Sequence, residues 1–74
     1  MTGFPKREIV EKLRAQYKPG ACVELLRMED IQAPPVGTQG TVIGVDDIGS
    51  VMVSWDNGSS LSVVYGADAC RVIE

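Results

Sequence analysis

The side chains that could do chemistry in this sequence are few. The chain has no histidine, so it lacks the usual general base, the usual metal ligand and the central member of a Ser-His-Asp triad. Asp46 and Asp47 could pair as acid and base or hold a hard cation, but neighbours on a strand point to opposite faces and a turn supplies too few oxygens for calcium. We therefore expect no catalytic residue, no metal site and no cofactor, and we predict that the protein is not an enzyme.

The two cysteines, Cys22 and Cys70, are the next candidates. They form neither a Cys-x-x-Cys pair nor the dense framework of a small secreted domain. Arg71 is the one basic neighbour of Cys70, and on a strand its side chain leaves the opposite face. Both cysteines are predicted to be reduced thiols. Because the apolar runs are also too short to cross a bilayer, we expect a cytoplasmic protein without a membrane partner.

Aromatic, proline and aspartate side chains are the candidates for a binding surface. Trp55 either closes the core or forms one wall of a shallow groove with Tyr65 and the loop 33–36, and the sequence leaves both alternatives open. An indole and a phenol present flat apolar faces with polar tips, the chemistry with which SH3-like barrels hold peptides. Three aspartates would add a negative rim. The predicted ligand-binding set is Trp55, Tyr65, Pro34, Pro35, Asp46, Asp47 and Asp56.

The first element that must position these side chains is a helix, predicted over residues 5–17. Pro5 suits its first turn, because the missing N–H would lack a partner there in any case. Pro19 ends it by pushing Lys18 away from helical dihedrals. Its apolar face carries Ile9, Val10, Leu13 and Tyr17.

After Gly20 the apolar pattern alternates, and it predicts five strands at 21–28, 41–45, 50–55, 60–64 and 70–73. Asn57-Gly58 predicts a tight type I′ hairpin between the third and fourth strands. The fold class is mainly β (α+β): an N-terminal amphipathic helix followed, over residues 21–73, by a small five-stranded SH3-like β-barrel, with 1–74 as one domain. The predicted core is Val23, Leu25, Val42, Val51, Val53, Leu61, Val63 and Val72, with Ile9 and Leu13 over one open end.

Charge divides the chain into two parts. Residues 1–18 carry five basic and two acidic side chains, whereas residues 19–74 carry two basic and eight acidic ones. A basic helix can serve an acidic partner such as nucleic acid, and it can equally be a solvated helix docked beside an acidic barrel. The sequence contains no basic stripe on the barrel and no stacking platform of several aromatics.

Five segments of the sequence carry a resemblance to a known family: 23–28, 33–42, 45–49, 55–59 and 65–71. In order along the chain, they resemble the bacterial and phage domain-of-unknown-function family forty-three fourteen. That resemblance implies a short stand-alone protein, often of mobile elements, with no established activity. More weakly, residues 40–42, 53–59 and 65–66 resemble the Mind bomb-type SH3-like domains, which are peptide-binding modules.

These features together predict a small non-enzymatic interaction module that binds a protein or peptide through a barrel groove. The alternative is a nucleic-acid-binding accessory protein of a phage or mobile element that uses the basic helix. We expect a monomer or a weak homo-oligomer.

A first testable prediction concerns the thiols. Alternation along the strands sets Cys22 on the outer face, beside Glu24, and Cys70 on the inner one, so the two cannot be bridged. Titration of the protein unfolded in denaturant, without reductant, is expected to find both cysteines as free thiols. Loss of both thiols, restored by reductant, would contradict the prediction.

Overall fold

The computed structural model describes residues 7–73 and is mainly β. Pro5 and Lys6, which the sequence placed in the helix, lie outside the described residues. The elements in chain order are helix α1 (Arg7–Gln16) and strands β1 (Cys22–Arg27), β2 (Gln39–Val45), β3 (Ser50–Trp55), β4 (Val63–Val64) and β5 (Ala69–Val72). The predicted helix and all five predicted strands are therefore present, with shifted ends.

The strands form one antiparallel sheet in the order β4-β3-β2-β1-β5. The barrel predicted from the sequence is not closed, because β4 and β5 are the two edges and do not pair with each other. The reason lies in the residues before β4. The main-chain oxygens of Ser59 and Leu61 accept hydrogen bonds from the amide and the indole Nε1 of Trp55, both at 2.8 Å. This segment bends around the indole, and only two residues of the predicted strand 60–64 remain in the ladder.

The turns at both ends of β3 share one geometry, which corrects the predicted type I′ hairpin. Asn57 does not have the positive φ that a type I′ turn needs at both central residues, whereas Gly58 does, at 93°. The Gly58 amide donates to the Trp55 carbonyl at 3.0 Å, and the Gly49 amide donates to that of Asp46 at 3.2 Å. The tight turns are thus three-residue loops, 47–49 and 56–58, closed by the Asp46–Ser50 and Trp55–Ser59 main-chain hydrogen bonds, and in each a glycine supplies the left-handed position.

Two irregularities decide which side chains face the core. The β2–β3 register shifts between Val42 and Gly44, and the β1–β5 register shifts between Leu25 and Arg27. A bulge adds one unpaired residue to a strand, so the alternation restarts after it. For this reason Val42 and Val45, an odd number of residues apart, both turn toward the core.

The core contains six of the eight side chains predicted for it and four others. The buried apolar residues are Val10, Tyr17, Val23, Leu25, Val42, Val51, Val53, Trp55, Val63 and Cys70. Leu61 is only half-buried, because it lies in the bend around Trp55, and Val72 is 38% exposed, because β5 has no neighbour on its outer side. Leu13 packs against the core as predicted, whereas Val10 rather than Ile9 is the fully buried residue of α1.

Gly40 is a position of β2 that has no room for a side chain. It is paired with Trp55, and a Cβ placed on it would lie 2.7 Å from Val53 Cγ1, 2.8 Å from Trp55 Cε3 and 2.9 Å from the Ser54 carbonyl oxygen. Real Cβ atoms do not approach other atoms this closely. The indole therefore packs against β2 because position 40 has no side chain.

Within residues 7–73, no helix has both the length and the apolar character needed to cross a bilayer.

A second testable prediction follows from Gly40. Gly40→Ala is expected to destabilise the protein by about 2–3 kcal/mol, because the new methyl group overpacks the Trp55 and Val53 side chains. Gly44→Ala is the matched control in the same strand, since its Cβ would meet only Met52 Cε, at an ordinary 3.6 Å. Urea unfolding of the two variants measures the difference. Equal midpoints for both would contradict this packing.

Candidate functional site

A groove of about 270 Å³ lies between α1 and the connection from β4 to β5. On the helix side its wall is formed by Leu13, Gln16 and Tyr17, and on the sheet side by Gly49, Val51, Val63, Tyr65, Gly66 and residues 68–70. The groove lies at the seam that the open sheet leaves between its two edge strands. Its lining is mostly apolar and aromatic, which is typical of ligand sites.

Tyr17, the residue that follows α1, ties the end of the helix to the sheet beside this groove. Its hydroxyl donates to the carbonyl of Cys70 in β5 at 3.2 Å, and this hydrogen bond is buried. Burial raises the pKa of the Tyr17 phenol, and the neighbouring Cys70 raises it further. Burial also raises the pKa of the Cys70 thiol, whereas the interaction of the thiol with the Tyr17 side chain lowers that pKa to a smaller extent. Both groups are therefore held in their protonated, uncharged forms at neutral pH.

Tyr65 and Asp68 form the outer wall of the groove. Tyr65 is 51% exposed, so its ring borders both the groove and the solvent. Asp68 is held by two main-chain donors, since its Oδ1 accepts from the Glu29 amide at 3.2 Å and its Oδ2 from the Val64 amide at 3.1 Å. Among the described residues that line the groove, Asp68 is the one acidic side chain, and none is basic.

The structure separates the predicted ligand-binding residues into two groups at opposite ends of β3. Tyr65, Asp46 and Asp47 lie at the end where β3 begins, since Ser50 pairs with Val64. The other end carries Trp55 and Asp56, together with the β1–β2 loop that contains Pro34 and Pro35, since the Asp56 amide donates to the Gln39 carbonyl at 2.9 Å. A single groove cannot include both groups.

Trp55 takes the first of the two alternatives that the sequence left open. It is 2% exposed and belongs to the core, with its indole N–H bonded to the Leu61 carbonyl. At the same end of β3, Pro34 is buried, whereas Pro35 and Asp56 are exposed. Pro35 caps a turn, because its carbonyl accepts from the hydroxyl of Thr38 at 2.7 Å.

Asp46 and Asp47 have structural partners within the chain. Asp46 Oδ1 accepts from the amides of Ile48 and Ser50, at 3.2 and 2.8 Å, and so organises the β2–β3 turn. Asp47 pairs with Arg14 of α1 at 2.6 Å. The described residues bring together no group of three or more histidine, cysteine, aspartate or glutamate side chains that could hold a metal ion.

Comparison with known proteins gives one match. The family model "Domain of unknown function (DUF4314)" matches residues 6–73. The chain belongs to this family. The resemblance to an uncharacterised family is thereby confirmed, and the matched range includes α1, all five strands and every residue of the groove. No curated protein matches the chain, and no solved structure matches it either.

Sequence reasoning missed three residues of the groove. The sequence pattern places Tyr17 on the apolar face of the helix and Cys70 on the inner face of a strand, but nothing in it indicates the hydrogen bond that joins them. Asp68 lies in an irregular connection without periodicity, and its hydrogen bond from the Val64 amide leaves no pattern in the sequence.

A third testable prediction concerns pH. A thiol whose pKa is higher in the folded than in the unfolded protein favours folding while it is protonated, and this contribution is lost as pH rises above the unfolded value of about 8.5 toward the folded one. Stability is therefore expected to fall between pH 8 and 9.5 in the natural chain, and to fall less in Cys70→Ala.

The matched control for this measurement is Cys22→Ala, which keeps the buried Cys70 thiol, so its stability should fall more steeply with pH than that of Cys70→Ala. Urea midpoints at the two pH values are sufficient. If Cys70→Ala and Cys22→Ala show the same dependence as the natural chain, the assignment to Cys70 is wrong.

Proposed function

We propose that this chain is a non-enzymatic interaction module that binds a cationic protein or peptide segment in the groove between α1 and the β4–β5 connection. The observation that carries the proposal is the lining of the groove: an apolar floor, the half-exposed ring of Tyr65, and the carboxylate of Asp68 as the one charged side chain. Aromatic rings at the edge of an apolar cleft are typical anchors of binding interfaces.

The electrostatic part of the proposal rests on the described residues after the helix. From position 17 to 73 they include seven acidic and three basic side chains, and Arg71, one of the basic ones, is bound to Glu24 at 2.6 Å. A field of this sign attracts cationic segments and repels phosphate backbones. Of the site predicted from the sequence, Tyr65 remains in the proposed groove, whereas Trp55 is a core residue.

We also infer that the sheet is an SH3-like barrel with an open seam. Strands β1 to β4 form a meander and β5 lies beside β1, so a single further pairing, between β4 and β5, would close the barrel. We further propose that the protein is of bacterial or phage origin and is located in the cytoplasm.

Nucleic-acid binding through the basic helix is the competing function. Two of the described helix cations have acidic partners within the chain, Arg7 with Glu11 at 3.2 Å and Arg14 with Asp47 at 2.6 Å. Lys12 and Lys18 are exposed. A nucleic acid bound to the helix would have to compete with those ion pairs, and this competition favours the groove as the binding site.

A fourth testable prediction compares two ligands by NMR. A short peptide that alternates lysine and valine is expected to shift the amide resonances of Tyr65 to Cys70 saturably, and less so as salt rises, because charges more than about 10 Å apart are screened at 0.1 M. A DNA duplex should leave these resonances unchanged. Saturable shifts by the duplex alone, centred on Arg7, Lys12 and Arg14, would replace the proposal with the competing function.

The variant Tyr65→Ala is expected to bind the lysine-valine peptide with at least about tenfold lower affinity, because the substitution removes an aromatic anchor. Ile43→Ala is the matched control, since Ile43 is similarly exposed, at 58%, and lies on the outer face of β2. Equal affinity for both variants would show that the peptide does not use the groove.

A further inference from the structure

The main-chain hydrogen bonds of β1 show which way the outer strand β5 directs its own polar groups. On the β2 side, the Leu25 amide donates to the Thr38 carbonyl at 2.9 Å. On the β5 side, the Cys22 carbonyl accepts from the Ile73 amide, also at 2.9 Å. Alternate residues of an antiparallel strand bond to opposite neighbours. Cys70 and Val72 face Leu25 and Val23, so their N–H and C=O groups point away from β1.

Most of these outward-pointing groups have no partner among residues 7–73. The Cys70 carbonyl accepts the Tyr17 hydroxyl, but no described hydrogen bond uses the Cys70 amide or either main-chain group of Val72. The Val72 side chain beside them is 38% exposed, although it alternates with the buried Cys70. The edge of β5 thus presents two donors and an acceptor along one line.

The opposite edge of the sheet is different. The Val64 amide of β4 donates to Asp68 Oδ2 at 3.1 Å, and the Val64 carbonyl accepts from the amides of Ala67 and Asp68, at 3.2 and 2.9 Å. The turn after β4 therefore satisfies that edge from within the chain. Exposed edges with unpaired groups are templates for another strand, and the outer edge of β5 has that character whereas Val64 of β4 does not.

We propose that the cationic segment binds in extended conformation as an added strand on β5, with its main chain bonded to Val72 and the Cys70 amide. The added strand would occupy the seam toward β4, and alternate side chains would enter the apolar groove beside Leu13 and Val63. Asp68 at the wall selects a positively charged neighbour. This inference rests on the function proposed above and adds the conformation of the partner and its means of recognition.

The experiment uses the lysine-valine peptide and two analogues, one N-methylated at every lysine amide and one at every valine amide. Along an extended strand these two sets of N–H groups point to opposite edges. Strand addition predicts that one analogue loses affinity at least about tenfold, because it loses several hydrogen bonds, while the other binds nearly as the parent does. The Val72 amide should become protected from hydrogen exchange on binding.

Two protein variants give an independent test. Val72→Pro removes the outward donor and leaves the β1–β5 ladder intact, since proline is tolerated where the N–H faces away from the sheet. Val72→Pro is expected not to bind the lysine-valine peptide, whereas Val72→Ala, which keeps the donor, is expected to bind it.

The remaining outcomes overturn the inference in distinguishable ways. If both analogues bind as the parent does, with shifts at Tyr65 to Cys70, strand addition is wrong and groove binding stands. If the parent peptide gives no shifts, both proposals are wrong. If the Val72 amide becomes protected in the peptide-free protein as concentration rises, the occupant of the edge is a second copy of the chain.

Discussion

The close packing of the Trp55 indole on Gly40 is the contact on which the rest of this fold depends. Because residue 40 has no side chain, the Trp55 indole packs directly against β2, with Cε3 only 2.8 Å from where a Cβ would lie. The indole N–H donates to the Leu61 carbonyl, in the bent segment before β4, and β4 is only two residues long. So short a β4 offers little edge to pair with β5, and the sheet stays open.

The open seam gives the molecule its candidate site. Where a closed barrel would have strand pairing, this sheet has a groove over which α1 lies, tied to β5 by the Tyr17 hydroxyl. The turn after β4 uses Asp68 to satisfy its own edge and places that carboxylate in the groove wall. The same local hydrogen bonds border an apolar cleft with a negative wall, and among the described residues the outer edge of β5 is left without a strand partner. The proposal of an extended cationic partner rests on these features.

The sequence predicts much of the fold and little of the site, for physical reasons. The helix and the five strands follow from periodicity and turn residues, and six core positions follow from alternation alone. Alternation fails at Val72, because burial there requires a neighbouring strand, and at Leu61, because a side-chain hydrogen bond from Trp55 overrides the strand. The site depends on contacts distant in sequence, such as Tyr17 with Cys70, and these leave no local pattern. Trp55 illustrates the difference: its type suggested a binding wall, and its packing partner at Gly40 places it in the core.

The fluorescence of Trp55, the single tryptophan of the chain, is the most direct test of the packing on Gly40. We expect blue-shifted emission that acrylamide quenches poorly, because the indole is 2% exposed. We also expect no change in emission when the lysine-valine peptide saturates the groove at the other end of β3. Red-shifted emission that acrylamide quenches readily and the peptide alters would contradict this packing, since it would place the indole at the binding surface.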